Sequence, residues 1–128
     1  MKKYILVVLI IIIAGGLIYL AFGKKNASAT INPDADIIYF HGKGCPHCAI
    51  VEDFMEKNNV KNAVSMEDGE IFFNKENAKI FKEKAALCNI AENQMGVPLL
   101  WVKGKCYTGD KDIISFFQGE LDRNNQQQ

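Results

Sequence analysis

The sequence lacks the features that mark several classes of protein. It has 15 basic and 15 acidic residues, so its formal net charge is zero, and it contains no internal repeat. The first 30 residues contain four of the basic residues and no acidic residue, so the remainder has 11 basic and 15 acidic residues. An acidic domain of this kind argues against nucleic-acid binding and against a basic lipid-binding patch. A chain of 128 residues has room for one domain.

Histidines are few, and the four cysteines include one closely spaced pair. The chain has two histidines, of which His47 lies inside that pair. A structural zinc site needs four ligands, so a single cysteine pair leaves it incomplete. Covalent haem attachment is excluded, because Ala49 stands where that motif needs a histidine. We therefore expect no cofactor. A metal-handling protein that binds Cu(I) or Zn(II) stays as an alternative function.

One long apolar run is present, from Tyr4 to Phe22. Its 19 residues carry no charge and would reach about 28 Å as a helix, close to the roughly 30 Å of a bilayer core. We predict a single-pass membrane anchor over residues 1–25, with the following domain on the extracytoplasmic side. A cleaved signal ending near residues 27–29 would instead give a secreted protein, but signal peptides have a shorter apolar stretch of about 7–15 residues. A buried helix of a soluble protein is the third alternative.

The chemistry is predicted to lie in residues 39–48, where a glycine-rich turn precedes Cys45 and Cys48. If a helix begins near Cys45, its unpaired N–H groups and its positive end favour the Cys45 thiolate. Pro46 suits the first helical position because it has no N–H to leave unpaired. A protonated His47 would add positive charge, and Cys48 would lie close enough to resolve a mixed disulfide. We predict that these four residues are catalytic.

This block resembles the active site of the thioredoxin-like superfamily, and its Pro-His dipeptide is similar to that of the bacterial periplasmic dithiol oxidases of the DsbA type. A second landmark is Val97-Pro98, because the superfamily places a cis-proline opposite the active disulfide. Pro98 follows Cys45 by 53 residues, as in compact thioredoxins and glutaredoxins. The resemblance implies that Val97 and Pro98 bind substrate. It also implies a thiol–disulfide oxidoreductase that exchanges a Cys45–Cys48 disulfide with protein thiols or disulfides.

The expected fold is α/β and thioredoxin-like, with a four-stranded mixed sheet and about three helices after the membrane helix. The domain is expected over residues 37–122, after a linker over residues 26–36 and before a disordered tail over residues 123–128. The element order β-α-β-α-β-β-α is that of a minimal thioredoxin-like or glutaredoxin-like domain. The predicted strands are 37–40, 60–66, 99–102 and 106–108, and the predicted helices are 45–58, 74–93 and one capped by Asp110.

The second pair of cysteines, Cys88 and Cys106, is distant in sequence. As separate buried thiols they would behave as small hydrophobic residues. Outside the cytoplasm an even number of cysteines favours pairing, and the spacing of Cys45 and Cys48 leaves the other two for each other. We therefore predict a structural disulfide between Cys88 and Cys106.

One position and one short segment depart from the superfamily's pattern. Tyr39 stands six residues before the first cysteine, where many members hold a buried acid. The glycine and acidic pair that bind glutathione in glutaredoxins are incomplete around residues 108–110, so glutathione is a poorly supported substrate.

Whether the protein oxidises or reduces its substrates depends on the stability of the Cys45 thiolate, because stabilising this thiolate makes the disulfide more oxidising. We expect oxidation or isomerisation of exported thiols, by a monomer that works with a membrane redox partner. A reductase fed through the membrane and a non-catalytic interaction module are the remaining alternatives.

Overall fold

The computed structural model describes residues 1, 3–5, 7–8, 12 and 29–127. Apart from the scattered positions near the N-terminus, the predicted anchor over residues 1–25 lies outside the described residues, as do residues 26–28 of the predicted linker. Within the part of the chain that is described, no helix combines the length and apolarity that a membrane span requires.

Within residues 29–127, four strands and three long helices follow one another in the predicted order. The elements are β1 (Ile37–His41), α1 (Pro46–Lys57), α2 (Val60–Ala63), β2 (Glu67–Glu70), α3 (Lys75–Leu87), a 3-10 turn (Glu92–Gln94), β3 (Leu99–Val102), β4 (Lys105–Thr108) and α4 (Asp110–Gln126). The sheet order is β2-β1-β3-β4, with β1 parallel to β2 and the other neighbours antiparallel. The predicted four-stranded mixed sheet is confirmed, and the architecture is thioredoxin-like. Two short helical elements add to the three predicted helices.

Both faces of the sheet are covered by apolar side chains. The first core packs between the sheet and helices α1, α2 and α4: Tyr39, Val51, Met55, Val60, Val64, Leu100, Ile113 and Phe117. The second packs between the sheet and α3: Ile31, Ile38, Phe40, Phe81, Ala85, Leu99 and Trp101. Because successive strand residues point to opposite faces, neighbouring residues of β1 belong to different cores.

The predicted second strand is wrong. Residues 60–66 were expected to form it and residues 67–69 a turn, whereas Val60–Ala63 is the short helix α2 and Glu67–Glu70 is the strand β2. Strand β2 pairs in parallel with β1 through its backbone, from Ile38↔Glu67 to His41↔Glu70. A partner strand thus imposes the extended conformation on a polar segment whose side chains do not favour it.

The predicted linker is partly wrong, because residues 29–36 belong to the domain. Ile31 is 4% exposed and packs in the second core. The fully buried side chain of Asn77 accepts a hydrogen bond from the Ile31 N–H at 3.0 Å. Its Nδ2 donates to the carbonyl oxygens of Ala29 at 3.4 Å and Glu70 at 3.1 Å. One amide group therefore ties the N-terminal segment to the end of β2.

Two helix ends also differ from expectation. Helix α3 ends at Leu87 rather than near Asn93, because Cys88 caps it and Asn89 takes a left-handed conformation with φ 59°. Leu87, the last residue of α3, is 66% exposed. Helix α4 continues to Gln126 through the predicted tail, and the Asn124 side chain donates to the carbonyl oxygen of Ala63 at 3.1 Å.

Candidate active site

The two cysteines of residues 45–48 form a disulfide at the start of α1. Cys45 is the N-cap residue and Pro46 is the first helical residue, as predicted from sequence. The Cα atoms of Cys45 and Cys48 are 5.2 Å apart. The Cys48 N–H donates a hydrogen bond to Cys45 Sγ at 3.2 Å, so the helix start points a donor at this sulfur. Cys45 is partly exposed and Cys48 is 1% exposed. An incoming thiolate therefore reaches Cys45 more easily than Cys48.

The turn before Cys45 is held by backbone contacts. The Cys45 N–H donates to the carbonyl oxygen of Gly42 at 3.0 Å, and Gly44 has a positive φ of 84° that favours glycine. The Lys43 N–H donates to the carboxylate of Glu70 at 3.2 Å. Burial tends to raise the pKa of Glu70, but hydrogen bonds from the backbone N–H groups of residues 73, 72 and 43 hold that pKa below its usual range. Strand β2 thus supports the active-site turn.

The Val97-Pro98 segment lies against the disulfide. The peptide bond between them is cis, and the Val97 carbonyl oxygen lies 3.7 Å from Cys45 Sγ. The Gly109 N–H donates to the carbonyl oxygen of Pro98 at 3.1 Å, which joins this segment to the start of α4. Pro98 is buried and Val97 is partly exposed. The structure therefore brings Val97, Pro98 and Cys45 together.

His47 is mostly exposed and pairs with a carboxylate. Its side chain is 68% exposed, and its Nδ1 lies 3.4 Å from Oδ2 of Asp110. The hydrogen bond from His47 holds the pKa of Asp110 below its usual range. Asp110 was expected to cap α4; it is instead the first residue of that helix, and Gly109 occupies the cap position. The site therefore places a carboxylate beside His47.

Tyr39 occupies the position of the missing acid, and it cannot replace that acid. It is fully buried, and its hydroxyl donates to the carbonyl oxygen of Cys48 at 3.3 Å. Burial, and then the negative charges of Glu52 and Asp68, raise the pKa of Tyr39 well above its ordinary value. The hydroxyl thus stays protonated at neutral pH and supports the backbone at Cys48.

A charged cluster lies under the active-site turn. The ring of His41 stacks on that of Tyr39, with centroids 5.6 Å apart. His41 Nε2 lies 2.8 Å from Asp68, and Nδ1 lies 3.2 Å from Glu52. The hydrogen bond with Asp68 raises the pKa of His41, and burial opposes this less strongly. Burial tends to raise the pKa of Asp68, but hydrogen bonds from His41 and Lys61 bring it below its usual value.

A cavity of about 360 Å³ joins this cluster to the disulfide. It is lined in part by His41, Glu52, Glu70, Gly42, Cys45 and Pro46. The spacing of residues in sequence could not have shown this arrangement, because Asp68 lies in the segment expected to be a turn and Glu70 directly follows that segment. The parallel pairing of β1 with β2 brings Glu70 to the cavity that Cys45 lines, and brings Asp68 to His41.

A second disulfide joins Cys88 and Cys106, whose Cα atoms are 6.0 Å apart. It links the residue after α3 to the edge strand β4, and both residues are partly exposed. The loop that it closes contains Val97 and Pro98. The structure thus pairs the four cysteines as the sequence predicts, and no free cysteine stands among the described residues.

Comparison with solved structures finds similar chains, among them two glutaredoxins. A wheat glutaredoxin is 20% identical with a TM-score of 0.48, over 71% of this chain and 83% of that one. Oxidized glutaredoxin 2 from Chlamydomonas reinhardtii is 18% identical with a TM-score of 0.46, over 72% of this chain and 80% of that one. No protein-family model and no curated protein sequence matches the chain.

Proposed function

We propose that the protein is a thiol–disulfide oxidoreductase that exchanges its Cys45–Cys48 disulfide with protein thiols. The observation that carries the proposal is the position of Cys45. Its sulfur is partly exposed at a helix start, accepts a hydrogen bond from the Cys48 N–H and faces the Val97 carbonyl. A helix start of this kind stabilises a thiolate, which is both the nucleophile and the leaving group of disulfide exchange.

In the oxidising direction, a substrate thiolate attacks Cys45 Sγ. The Cys45–Cys48 bond breaks, Cys48 leaves as a thiolate, and Cys45 is joined to the substrate in a mixed disulfide. A second substrate thiolate then attacks the substrate sulfur and releases Cys45 as a thiolate. The substrate loses two electrons and gains a disulfide, while the protein becomes a dithiol. A partner that accepts two electrons must then reoxidise the protein.

We favour the oxidising or isomerising direction. The N–H donor at Cys45 and a protonated His47 stabilise the reduced protein, and this raises the reduction potential. The contribution of His47 is modest, because it is 68% exposed and Asp110 offsets its charge. The substrate chain would lie along Val97 and Pro98, whose backbone adjoins the Cys45 sulfur.

We further propose that residues 1–25 anchor the protein in the cell membrane, with the redox domain on the extracytoplasmic side. The charge-free run from Tyr4 to Phe22 supports this, as does the pairing of all four cysteines, since disulfides persist in oxidising compartments. The partner that exchanges electrons with the dithiol would then be a membrane protein. The Cys88–Cys106 disulfide would be structural.

The metal-handling alternative has weaker support. Among the described residues, no group of three or more histidine, cysteine, aspartate and glutamate side chains is arranged to hold a metal ion. Both histidines lie beside carboxylates, His41 at Asp68 and His47 at Asp110. Both ring nitrogens of His41 have carboxylate partners, so this histidine has no free nitrogen to serve as a third ligand for a reduced Cys45 and Cys48.

The experiment that tests the proposal is trapping of the mixed disulfide. The Cys48→Ser variant keeps the attacked sulfur but lacks the resolving one, so it should accumulate a covalent complex with a reduced thiol protein after activation of Cys45 with a disulfide reagent. Cys45→Ser is the matched control and should form none. Complexes that form equally with both variants, or with neither, would overturn the proposal.

A further inference from the structure

Two adjacent phenylalanines project from the loop between β2 and α3, beside the active-site turn. Phe72 is 55% exposed and Phe73 is 78% exposed. In the range 29–127 the other large hydrophobic residues with comparable exposure, Ile50 and Leu87, stand singly along the chain. Exposed aromatic pairs of this kind occur at surfaces that contact membranes or other proteins.

Hydrogen bonds and packing hold this loop in place, so the positions of Phe72 and Phe73 are fixed by the domain. The carboxylate of Glu70 accepts hydrogen bonds from the N–H groups of Phe72 at 2.8 Å and Phe73 at 2.9 Å. The ring of Phe72 covers the backbone of Gly42, where a Cβ atom would come within 2.4 Å of it. The carbonyl of Gly42 in turn accepts the N–H of Cys45. The aromatic pair and the disulfide therefore belong to one end of the domain.

The N-terminal segment reaches the domain at the same end. Asn77 Nδ2 donates to the carbonyls of both Ala29 and Glu70, so Ala29 lies next to the residue whose carboxylate holds the two phenylalanine N–H groups. Ala29 is exposed and Ile31 is buried, so the chain enters the domain at this point.

The chain between the apolar run and Ala29 is short. Six residues, 23–28, separate Phe22 from Ala29, and even fully extended they bridge at most about 25 Å. If the run spans a membrane, the end of the domain that carries Ala29, Phe72 and Phe73 cannot move far from the bilayer. Such a short tether also gives an effective concentration in the millimolar range, so even weak contacts would be occupied.

We infer that Phe72 and Phe73 rest on the phospholipid surface of the membrane that anchors the chain, and hold the Cys45 end of the domain at the level of the lipid headgroups. This rests on the proposed membrane anchoring. Aromatic side chains favour the membrane–water interface. The exposed Lys43 and Lys75 lie near the two phenylalanines, where they would meet the lipid phosphates, and the exposed Glu76 lies there too. The disulfide would thus face a redox partner within the membrane.

The test uses fluorescence of the full chain in phospholipid bilayers. Trp101 is the single tryptophan and is 8% exposed in the second core. In a Trp101→Phe background, Phe73→Trp places the fluorophore on the proposed surface. Leu87→Trp is the matched control, because it is exposed at the far end of α3, about 18 Å along the helix axis. Each variant is compared in bilayers with and without lipids brominated on the upper acyl chain.

Because interfacial side chains reach about 5–10 Å into the boundary between headgroups and acyl chains, we expect about a twofold loss of emission for Phe73→Trp. We expect no loss for Leu87→Trp. The inference would be overturned if the two variants were quenched equally, or if neither were quenched. The proposed anchor would still stand if the chain stayed in the membrane after alkaline washing. Loss of the chain on alkaline washing would overturn the anchor as well.

A protein substrate is the competing occupant of the surface. Phe73→Ser, which leaves the contact between Phe72 and Gly42 in place, should leave the rate of exchange with a reduced unfolded protein in detergent within about twofold of the parent, as for exposed residues outside a binding site. A tenfold loss of this rate, with no quenching in brominated bilayers, would assign the surface to substrate and overturn the inference.

Discussion

The buried amide of Asn77 offers the sharpest test of how the N-terminal segment joins the domain. Asn77→Ala removes one acceptor and two donated hydrogen bonds, those with Ile31, Ala29 and Glu70. Ala29 is exposed, so water can replace the bond to its carbonyl. The Ile31 N–H and the Glu70 carbonyl lose their side-chain partner inside the protein, at about 1–3 kcal/mol each. We expect Asn77→Ala to lower the free energy of unfolding by about 2–4 kcal/mol, out of a typical 5–15 kcal/mol.

The assay is urea unfolding of the full chain in detergent micelles, followed by the emission of Trp101. This residue lies in the same core as Ile31, so its emission reports on the region that the substitution disturbs. Asn93→Ala is the matched control: Asn93 is exposed, and its removal should change the free energy of unfolding by less than about 0.5 kcal/mol. If Asn77→Ala and Asn93→Ala changed the free energy of unfolding equally, the docking of residues 29–36 on the domain would be refuted.

A double-mutant cycle sharpens the result. Ile31→Ala alone should cost about 2–3 kcal/mol, since Ile31 is 4% exposed but lies at the edge of its core. Both Ile31→Ala and Asn77→Ala release the same segment, so their combined cost should fall short of the sum by at least about 0.5 kcal/mol. Additive costs would show that the two residues act independently and that the segment does not dock as a unit.

Three further predictions concern the site and its support. Asp68→Asn should destabilise the protein more at pH 5 than at pH 9. The pKa of His41 is raised, so the stability that its pairing with Asp68 contributes is lost as the pH rises through that pKa. The pKa of Asp68 is lowered, so the stability that the Asp68 carboxylate contributes is lost only in acid. Urea midpoints at both pH values measure this, and Asp53→Asn, an exposed control, should show no such difference. Cys88→Ala with Cys106→Ala should cost about 3 kcal/mol in urea unfolding, from the loop closed over a separation of 18 residues; an unchanged free energy of unfolding would contradict a structural role. His47→Ala should make the reduction potential more negative by about 10–30 mV in glutathione buffers, since His47 is exposed and paired with Asp110; a shift to a less negative value would remove it from the mechanism.

Much of the fold followed from local patterns in the sequence. Strands β1 and β3 are short apolar runs, and α1 begins where Cys45 and Pro46 predict a cap and a first turn. These elements can be predicted from their own residues, because the side chains suit a buried central strand or the start of a helix. The positions of the cysteines beside Val97 and Pro98 followed from the resemblance.

The errors arose where tertiary contacts override local preference. Strand β2 has the sequence Glu-Asp-Gly-Glu, which has no strand propensity, and its pairing with β1 cannot be read from those residues. The docking of Ile31 depends on Asn77, which lies 46 residues away. The pairs His47–Asp110 and His41–Asp68 were missed for the same reason, since no spacing rule relates residues that separate elements bring together.

The reduction potential of the Cys45–Cys48 pair tests the central claim most directly. The full chain would be equilibrated in detergent with glutathione buffers of graded ratio, and the oxidation state of the two cysteines read by mass after alkylation. We expect a single two-electron transition between about −180 and −120 mV, the range of protein disulfide isomerase and DsbA. A potential near −270 mV, that of thioredoxin, would contradict the oxidising direction. The absence of any transition would contradict the oxidoreductase itself.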